Sequence, residues 1–203
     1  MPPKPSLGAL VKRLFWDLAD PKERKYYGYW FIWQIPGLFG SMLRARYMAP
    51  RMRRAGVNLM INPGCRFRSI ERLEVGDNVQ IGFDNFFQAR GGLLIGNNVT
   101  FAPGVKIWSV NHRYDDPDTP VAQQGHEAKP VRIGDNVFVG ANAFILPGVN
   151  LSDGVVVCAG AVVGGKEYPP YAILAGNPAR IIGYRGRNRP AVGLEADGAK
   201  KAS

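Results

Sequence analysis

Cysteine and histidine are scarce in this sequence, with two of each among 203 residues. Cys65 and Cys158 are too few and too far apart for a disulfide framework or a thiolate metal site, which is typical of a reducing compartment. A signal peptide is not expected, because charged residues and prolines interrupt the N-terminal region before a long apolar stretch develops. With 46% hydrophobic and 21% charged residues, the chain is long and apolar enough for one main domain. We therefore expect a cytoplasmic protein.

Positive charge is concentrated at the N-terminus. Residues 1–56 hold 11 Lys and Arg against 3 Asp and Glu, whereas residues 57–203 hold 15 against 13. No basic groove motif accompanies this charge, so nucleic acid is not an expected partner. We interpret residues 1–56 as a basic, aromatic-rich helical segment.

Residues 30–43 form an apolar run that is interrupted by Gln34, Pro36 and two glycines. The run is shorter than the roughly 20 apolar residues of a simple membrane-spanning helix. Arg44, Arg46, Arg51, Arg53 and Arg54 follow it. Aromatic residues beside arginines are typical of a helix that lies on an anionic membrane surface, so we expect peripheral contact with the cytoplasmic face of the inner membrane. The alternative is a helical cap that packs on the body of the protein or on a neighbouring subunit.

A six-residue repeat dominates the rest of the chain. Branched aliphatic residues recur at every sixth position, at Ile133, Val139, Ile145, Leu151, Val157 and Val163. Three positions after the first five of them come the residue types that adopt positive φ most easily, Asn136, Asn142, Gly148, Gly154 and Gly160. Each hexad therefore predicts a short strand, a left-handed corner and another short strand, a period that fits neither an amphipathic helix nor a hairpin.

The same period occurs upstream. Its inward positions are Val75, Ile81, Phe87, Ile95, Phe101 and Ile107, and its corners include Asn78, Asn98 and Gly104. The register slips by two residues in "QARGGLL", and residues 57–74 follow the pattern loosely. Because three hexads make one triangular turn, we predict a solenoid of about five coils stacked roughly 4.8 Å apart over residues 57–185. Residues 186–203 are expected to be a disordered tail.

The segments "VRIGDNVFVGANAFILPGVNLSDGVVVCAGAVV" and "PPYAILAGNPARIIG" resemble the hexapeptide-repeat acyltransferases, in particular the galactoside and maltose acetyltransferases. The resemblance covers residues 57–185. It implies an all-β fold, the left-handed parallel β-helix, a rare exception to the right-handed crossover rule. It also implies a homotrimer with active sites between subunits, and acetyl-CoA as acyl donor.

One stretch, "SVNHRYDDPDTPVAQQGHE", interrupts the repeat and contains both histidines. About 20 residues, 111–130, are predicted to leave the solenoid as an external loop, where functional residues tend to lie. His112 stands at the root of this loop, and imidazole is a suitable base for a hydroxyl near neutral pH. In the resembling family a histidine at this position performs that step, and its motif matches "SVNH".

Further residues of the interrupting loop are weaker candidates. Asn111 and Asp115 are candidate contacts to the acceptor, and Asp115 or Asp116 is a candidate to orient His112. A tyrosine, two aspartates and a proline in succession are equally typical of a solvated turn. His126 could reach the cleft from the far end of the loop.

The resemblance also implies the remaining site residues. Small residues that line the pantetheine arm match Ala141 and Ala159, and basic residues that meet the nucleotide phosphates match Lys166, which follows Gly165, and Arg180. Asp84 and Asn85 lie one coil before His112, where the family commonly places acceptor contacts. Cys158 is interpreted as a packing residue.

These interpretations predict an O-acetyltransferase that moves acetyl from acetyl-CoA to a saccharide hydroxyl, without a metal. The basic N-terminus favours a lipid-linked or cell-surface glycan, and hence polysaccharide or glycolipid biosynthesis. A different acyl-CoA or an acyl carrier protein as donor remains an alternative, as does a β-helix that only binds a ligand. The γ-class carbonic anhydrases share the prism, but their zinc needs three histidine ligands and this chain has two histidines.

Overall fold

The computed structural model describes residues 6–20 and 30–186, and within them the chain winds into a parallel β-helix with three faces. The first face contains β1 (Arg54–Ala55), β4 (Leu73–Val75), β7 (Leu93–Ile95), β12 (Val131–Ile133), β15 (Asn150–Leu151) and β18 (Glu167–Tyr168). The second face contains β2 (Met60–Ile61), β5 (Gln80–Ile81), β8 (Thr100–Phe101), β13 (Phe138–Val139), β16 (Val156–Val157) and β19 (Ala172–Gly176). The third face contains β3 (Arg66–Arg68), β6 (Phe86–Gln88), β9 (Lys106–Trp108), β14 (Phe144–Ile145) and β17 (Val162–Val163).

The predicted parallel β-helix is confirmed, with one more turn than the sequence suggested. The first face has six strands rather than five. The coil that begins at β1 includes residues 57–74, which the prediction placed in the solenoid although their hexad pattern is loose. Ile61 and Cys65 nevertheless point into the core there, at 0% and 1% exposure, so this coil buries its axis as the later coils do.

The core runs along the axis of the solenoid. The inward residue of each strand stacks on its counterpart in the next coil, for example Leu73 on Leu93 and Ile133 on Leu151. Phe87 and Phe101 meet edge to face with ring centroids 5.0 Å apart. Burial of these side chains against one another supplies the main stabilisation, since no coil covers its own inner face.

The corners between faces use the predicted left-handed residues. Positive φ occurs at Asn78, Asn98, Gly104, Asn136, Asn142, Gly148, Gly154 and Gly160, and also at Asn58 and Asp84.

A ladder of polar side chains lies one residue before several of these corners. The side chains of Asp77, Asn97, Asp135 and Asp153 each accept a backbone N–H from the preceding coil at 2.7–2.8 Å. Gly76 permits this arrangement, because an added Cβ would lie 2.6 Å from Asn97 Oδ1. The ladder joins coil to coil without using the core.

The N-terminal segment contributes two helices, α1 (Leu7–Ala19) and α2 (Gly37–Met48), and residues 30–34 are also helical. A short 3₁₀ turn (Ala49–Arg51) leads into β1. Within residues 6–20 and 30–186, no helix has both the length and the apolar character needed to cross a bilayer. The predicted tail falls almost entirely on residues 187–203, which lie outside the described part.

Arg44 of α2 attaches this segment to the solenoid. Its side chain is fully buried and donates from Nε to Ile61 O at 2.7 Å, and from Nη1 to Ile35 O at 2.8 Å and Ile32 O at 3.2 Å. Burial lowers the pKa of the guanidinium. Arg44 therefore joins backbone carbonyls of the N-terminal segment to one carbonyl of the first coil, and its guanidinium is not exposed to a membrane surface.

The α1 helix differs from α2 in having no buried side chain. Its large apolar residues are all exposed, namely Leu7, Leu10, Val11, Leu14, Phe15, Trp16 and Leu18. An amphipathic helix with an uncovered apolar face is typical of a segment that meets another surface.

Candidate active site

The interruption of the repeat forms an antiparallel hairpin on the third face. Strand β10 (Val110–His112) pairs with β11 (His126–Ala128), and a 3₁₀ turn (Val121–Gln123) lies in the connecting loop. Ser109 fixes the base of the hairpin: its buried hydroxyl donates to Gln88 O and accepts from Gly91 N, both at 2.8 Å. Lys129 N donates to Ser109 O at 2.9 Å, so the two hairpin strands leave and rejoin the solenoid at one point.

The two histidines lie opposite each other in this hairpin. His112 and His126 are register partners, and their ring centroids are 4.3 Å apart with an interplanar angle of 41°. The pKa of His126 is lowered by partial loss of hydration, by His112 and by Arg90. A second positive charge beside His112 is disfavoured at this distance, so the neutral form of His126 is favoured.

A cavity of about 190 Å³ lies beside these rings, and we call it the His112 cavity. It is lined by Arg68, Phe86, Gln88, Arg90, Trp108, Val110, Asn111, His112 and His126. Asn111, a predicted acceptor contact, lines it and accepts His112 N at Oδ1. Its lining therefore combines cations, hydrogen-bonding groups and aromatic rings around the candidate base.

Several of these residues were missed by sequence reasoning. Arg68, Gln88 and Trp108 face outward in one column of the third face, since they are register partners in β3, β6 and β9. They are 20 residues apart, which is the length of one coil, so their alignment in an outward column could be predicted from the sequence. Their proximity to the hairpin could not be predicted, because it depends on how residues 111–130 fold back onto the solenoid.

The loop aspartates lie away from the His112 cavity. Asp116 accepts from Asp118 N at 2.9 Å and from Thr119 Oγ1 at 2.6 Å, and these bonds lower its pKa. Gln124 closes the same turn by donating to the carbonyls of Asp116 and Thr119. Asp116 therefore shapes the loop. Asp115 is exposed and does not line the cavity.

The predicted acceptor contacts one coil earlier are placed at a corner. Asp84 adopts a positive φ of 56° and is exposed. Asn85 is 1% exposed and donates from Nδ2 to Gly82 O at 2.9 Å, while its buried Oδ1 has no hydrogen-bond partner in the described part of the chain. The Asn85 side chain is directed into the solenoid, so contact with an acceptor is not available to it in this conformation.

The predicted donor residues lie in the last coils. Ala141 and Ala159 occupy equivalent positions in successive coils, since Gly160 N donates to Ala141 O at 2.8 Å. Both have accessible surface, Ala141 partly buried and Ala159 exposed. At these two coils the corner therefore carries only a methyl side chain.

The predicted phosphate contacts lie near Tyr168, whose buried hydroxyl donates to Gly164 O at 3.2 Å. Lys166 Nζ is 5.3 Å from the Tyr168 ring centroid. Burial raises the pKa of the Tyr168 phenol, and the Gly164 hydrogen bond and the charge of Arg180 partly offset this rise. Both cations are exposed, as is Gly165, which packs on Pro147. The last coil therefore presents positive charge to solvent.

The two cysteines lie outside this arrangement. Cys65 is buried, donates to Gly82 O at 2.9 Å, and has a pKa that burial raises to about 12. Cys158 follows an inward valine on the second face and is partly buried. Among the described residues, no group of three His, Cys, Asp or Glu side chains is arranged to hold a metal ion.

Comparison with known proteins agrees with the fold and identifies the family. A family model, "Hexapeptide repeat of succinyl-transferase", matches residues 130–164. Nodulation protein L of Rhizobium meliloti is 35% identical over 131 residues, which are 61% of this chain and 69% of that protein. The chain belongs to the hexapeptide-repeat acyltransferase family. It spans only about half the length of the first curated relatives that it matches.

Solved structures extend the likeness of this hexapeptide-repeat protein. A maltose O-acetyltransferase from Clostridium difficile 630 superposes with a TM-score of 0.65 at 28% identity, over 82% of this chain and 90% of that one. A galactoside acetyltransferase in complex with coenzyme A has a TM-score of 0.66 at 24% identity, over 76% of each chain. The second likeness concerns the fold alone.

Proposed function

We propose that this protein is an O-acetyltransferase that moves an acetyl group from acetyl-CoA to a saccharide hydroxyl, with His112 as general base. The observation that supports this most strongly is the position of His112: it lies beside a second imidazole and borders a polar cavity. Related acetyltransferases that are named for galactoside and maltose support a sugar acceptor.

The proposed reaction is a direct transfer. His112 removes the proton of the acceptor hydroxyl as its oxygen attacks the thioester carbonyl, and a backbone N–H of the solenoid stabilises the oxyanion. The tetrahedral intermediate then collapses: the C–S bond breaks, and the imidazolium returns its proton to the departing CoA sulfur. No covalent intermediate on the protein is needed, because neither cysteine lines the His112 cavity.

The donor is proposed to follow the edge that carries Ala141 and Ala159, with its phosphates at Lys166 and Arg180. The galactoside acetyltransferase of the same fold is in complex with coenzyme A, which supports CoA as the carrier. Small side chains permit close approach of the pantetheine arm, and exposed cations suit a polyphosphate.

A homotrimer with active sites between subunits is proposed together with this reaction, as the family resemblance implies. A role in cell-surface polysaccharide or glycolipid synthesis is the corresponding proposal for the pathway. The exposed apolar face of α1, with Lys12 and Arg13 beside it, supports contact of residues 1–56 with an anionic membrane surface. The protein would then be cytoplasmic and peripheral on the inner membrane.

The test is release of CoA thiol from acetyl-CoA that depends on an added saccharide. The His112→Gln variant is expected to lose about 10²- to 10⁴-fold in kcat/KM with its fold intact. Longer acyl-CoAs and an acylated carrier protein in the same assay examine the alternative donors. Saccharide-dependent release that is unchanged by the His112 substitution would refute the role of this residue.

Membrane contact is tested by flotation with vesicles that contain anionic lipid. The full chain is expected to float, and a truncation lacking residues 1–50 is expected to remain with the soluble fraction. Equal behaviour of the two proteins would refute the contact.

A further inference from the structure

The His112 cavity has a strongly cationic lining that the transfer reaction itself does not require. Arg68 and Arg90 both line it, and none of its lining residues is acidic. Within residues 6–20 and 30–186, neither guanidinium makes an ion pair. Glu127, the residue after His126 in β11, is paired with Lys129 at 3.0 Å. Two arginines without counterions in one concave site favour an anionic ligand.

Two further polar groups of the cavity lack partners. Trp108 Nε1 and Gln88 Oε1 are buried and make no hydrogen bond within the described chain. The Trp108 ring is held at its position by edge-to-face contacts with Phe86 and Phe144, at centroid distances of 6.2 and 5.7 Å. A fixed N–H donor and a carbonyl acceptor that are both unsatisfied cost free energy unless a ligand or water completes them.

These groups also have a fixed order along the solenoid. Arg68, Gln88 and Trp108 occupy successive strands of one column, and His112 follows four residues after Trp108. The proposed donor cations lie beyond β17, four strand steps from Arg68, which corresponds to about 19 Å along the axis. Arg90 follows β6, three strand steps or about 14 Å before β17, so both arginines of the His112 cavity are separated from the proposed phosphate contacts of the donor.

We propose that the His112 cavity binds a saccharide acceptor that carries a carboxylate or a phosphate, with this anion between Arg68 and Arg90. Trp108 Nε1 and Gln88 Oε1 then bind sugar hydroxyls, and the reacting hydroxyl faces His112. This inference rests on the proposed transferase function and narrows its substrate class from saccharides in general to acidic ones.

Binding is tested first without catalysis, on the full chain labelled with ¹⁵N at tryptophan. The Trp108 indole signal is assigned with a Trp108→Phe variant. Glucuronate, glucose 1-phosphate and glucose are then titrated separately. We expect an acidic sugar to shift the signal at a concentration about tenfold or more below that needed for glucose. The tighter of the two acidic probes identifies carboxylate or phosphate as the preferred anion.

The double variant Arg68→Gln/Arg90→Gln is expected to weaken binding of the acidic sugar about tenfold and leave glucose unchanged. Arg66→Gln is the matched control, since Arg66 lies on the same strand, is exposed, and does not line the cavity. In acetyl transfer, the double variant should raise KM for the acidic acceptor and not KM for acetyl-CoA.

The outcomes separate this inference from the function on which it rests. Tight, arginine-dependent binding of an acidic sugar with no acetyl transfer would support the cavity assignment and refute the transferase proposal. Acetyl transfer to glucose and the acidic sugars with equal kcat/KM would support the transferase proposal and refute the preference of the cavity for an acidic acceptor. A rise in KM for acetyl-CoA would assign the arginines to the donor, and loss of the oligomer would assign them to a subunit contact; either result overturns the inference.

Discussion

The regular coils and the hairpin that interrupts them differ in how their side chains are buried. From residue 131 to residue 163, each strand presents at least one aliphatic side chain inward at 3% exposure or less. From residue 111 to residue 130 no residue is buried. The coils therefore hold the apolar contacts that stabilise the fold, whereas the hairpin depends on hydrogen bonds at its base.

This contrast explains how exposed polar side chains can be positioned without disturbing the apolar core. Side chains in the coils are fixed by neighbours above and below, so an outward column such as Arg68, Gln88 and Trp108 has little freedom. The hairpin brings His112 and His126 beside that rigid column without disturbing the core. A rigid surface and a less constrained strand pair together form the candidate site.

The largest effect on stability is expected from truncation in the core. Phe101→Ala removes a ring that is 1% exposed and packs on Phe87, so the free energy of unfolding should fall by about 3–5 kcal/mol. Urea unfolding measures this change. Phe138→Ala, on the next coil but pointing outward with 43% exposure, should cost much less. Similar losses for the two variants would contradict the assignment of stability to the axis.

The next effect concerns the junction between the two regions. Ser109→Ala removes two hydrogen bonds at the hairpin base and should lower the free energy of unfolding by about 2 kcal/mol. Hydrogen exchange should accelerate in β10 and β11 before it does in the coils. Ser152→Ala, at a coil serine whose hydroxyl makes no hydrogen bond within residues 6–20 and 30–186, serves as the control. Uniform acceleration in both variants would show that the hairpin is not held by Ser109.

A smaller effect is expected at a corner of the coils. Asn136 has a φ of 56°, so Asn136→Ala should destabilise the protein by about 1 kcal/mol, because a Cβ without a compensating polar group disfavours this conformation. Asn136→Gly should be nearly neutral, since glycine adopts positive φ without a steric penalty. Thermal unfolding distinguishes the two. Equal losses would indicate a role for the Asn136 side chain itself.

The smallest effect is a change in titration within the hairpin. Partial loss of hydration, His112 and Arg90 lower the pKa of His126, so His112→Gln should raise it toward the ordinary histidine value, as followed by NMR. Because the pKa is lowered in the folded hairpin, protonation favours opening. The contribution to stability is complete above the ordinary histidine pKa and is lost as pH falls through the folded value. An unchanged His126 titration would mean that the rings do not interact.

Much of the solenoid was predictable from the hexads. An aliphatic side chain marks each inward position, and an Asn or Gly that adopts positive φ marks each corner. Asn98 and Gly104 illustrate this, since both adopt the predicted positive φ. The first coil was underestimated: Ile61 and the partly buried Phe67 keep the six-residue spacing, but the buried Cys65 takes the place that Val105 has two coils later. The candidate site was only partly predictable: His112 was identified by the interruption, and Arg68 and Trp108 were not.

The three-sided winding follows from the amino-acid sequence alone. Residues that adopt positive φ set the corners, and aliphatic residues at every sixth position stack on one another between successive coils. Only the tertiary structure decided which residues share the site. The ring of His126 meets that of His112, and both meet a column that spans three coils, because hairpin pairing and coil register bring together residues up to 58 positions apart. This proximity depends on how the whole backbone folds in three dimensions, which a local sequence pattern does not specify.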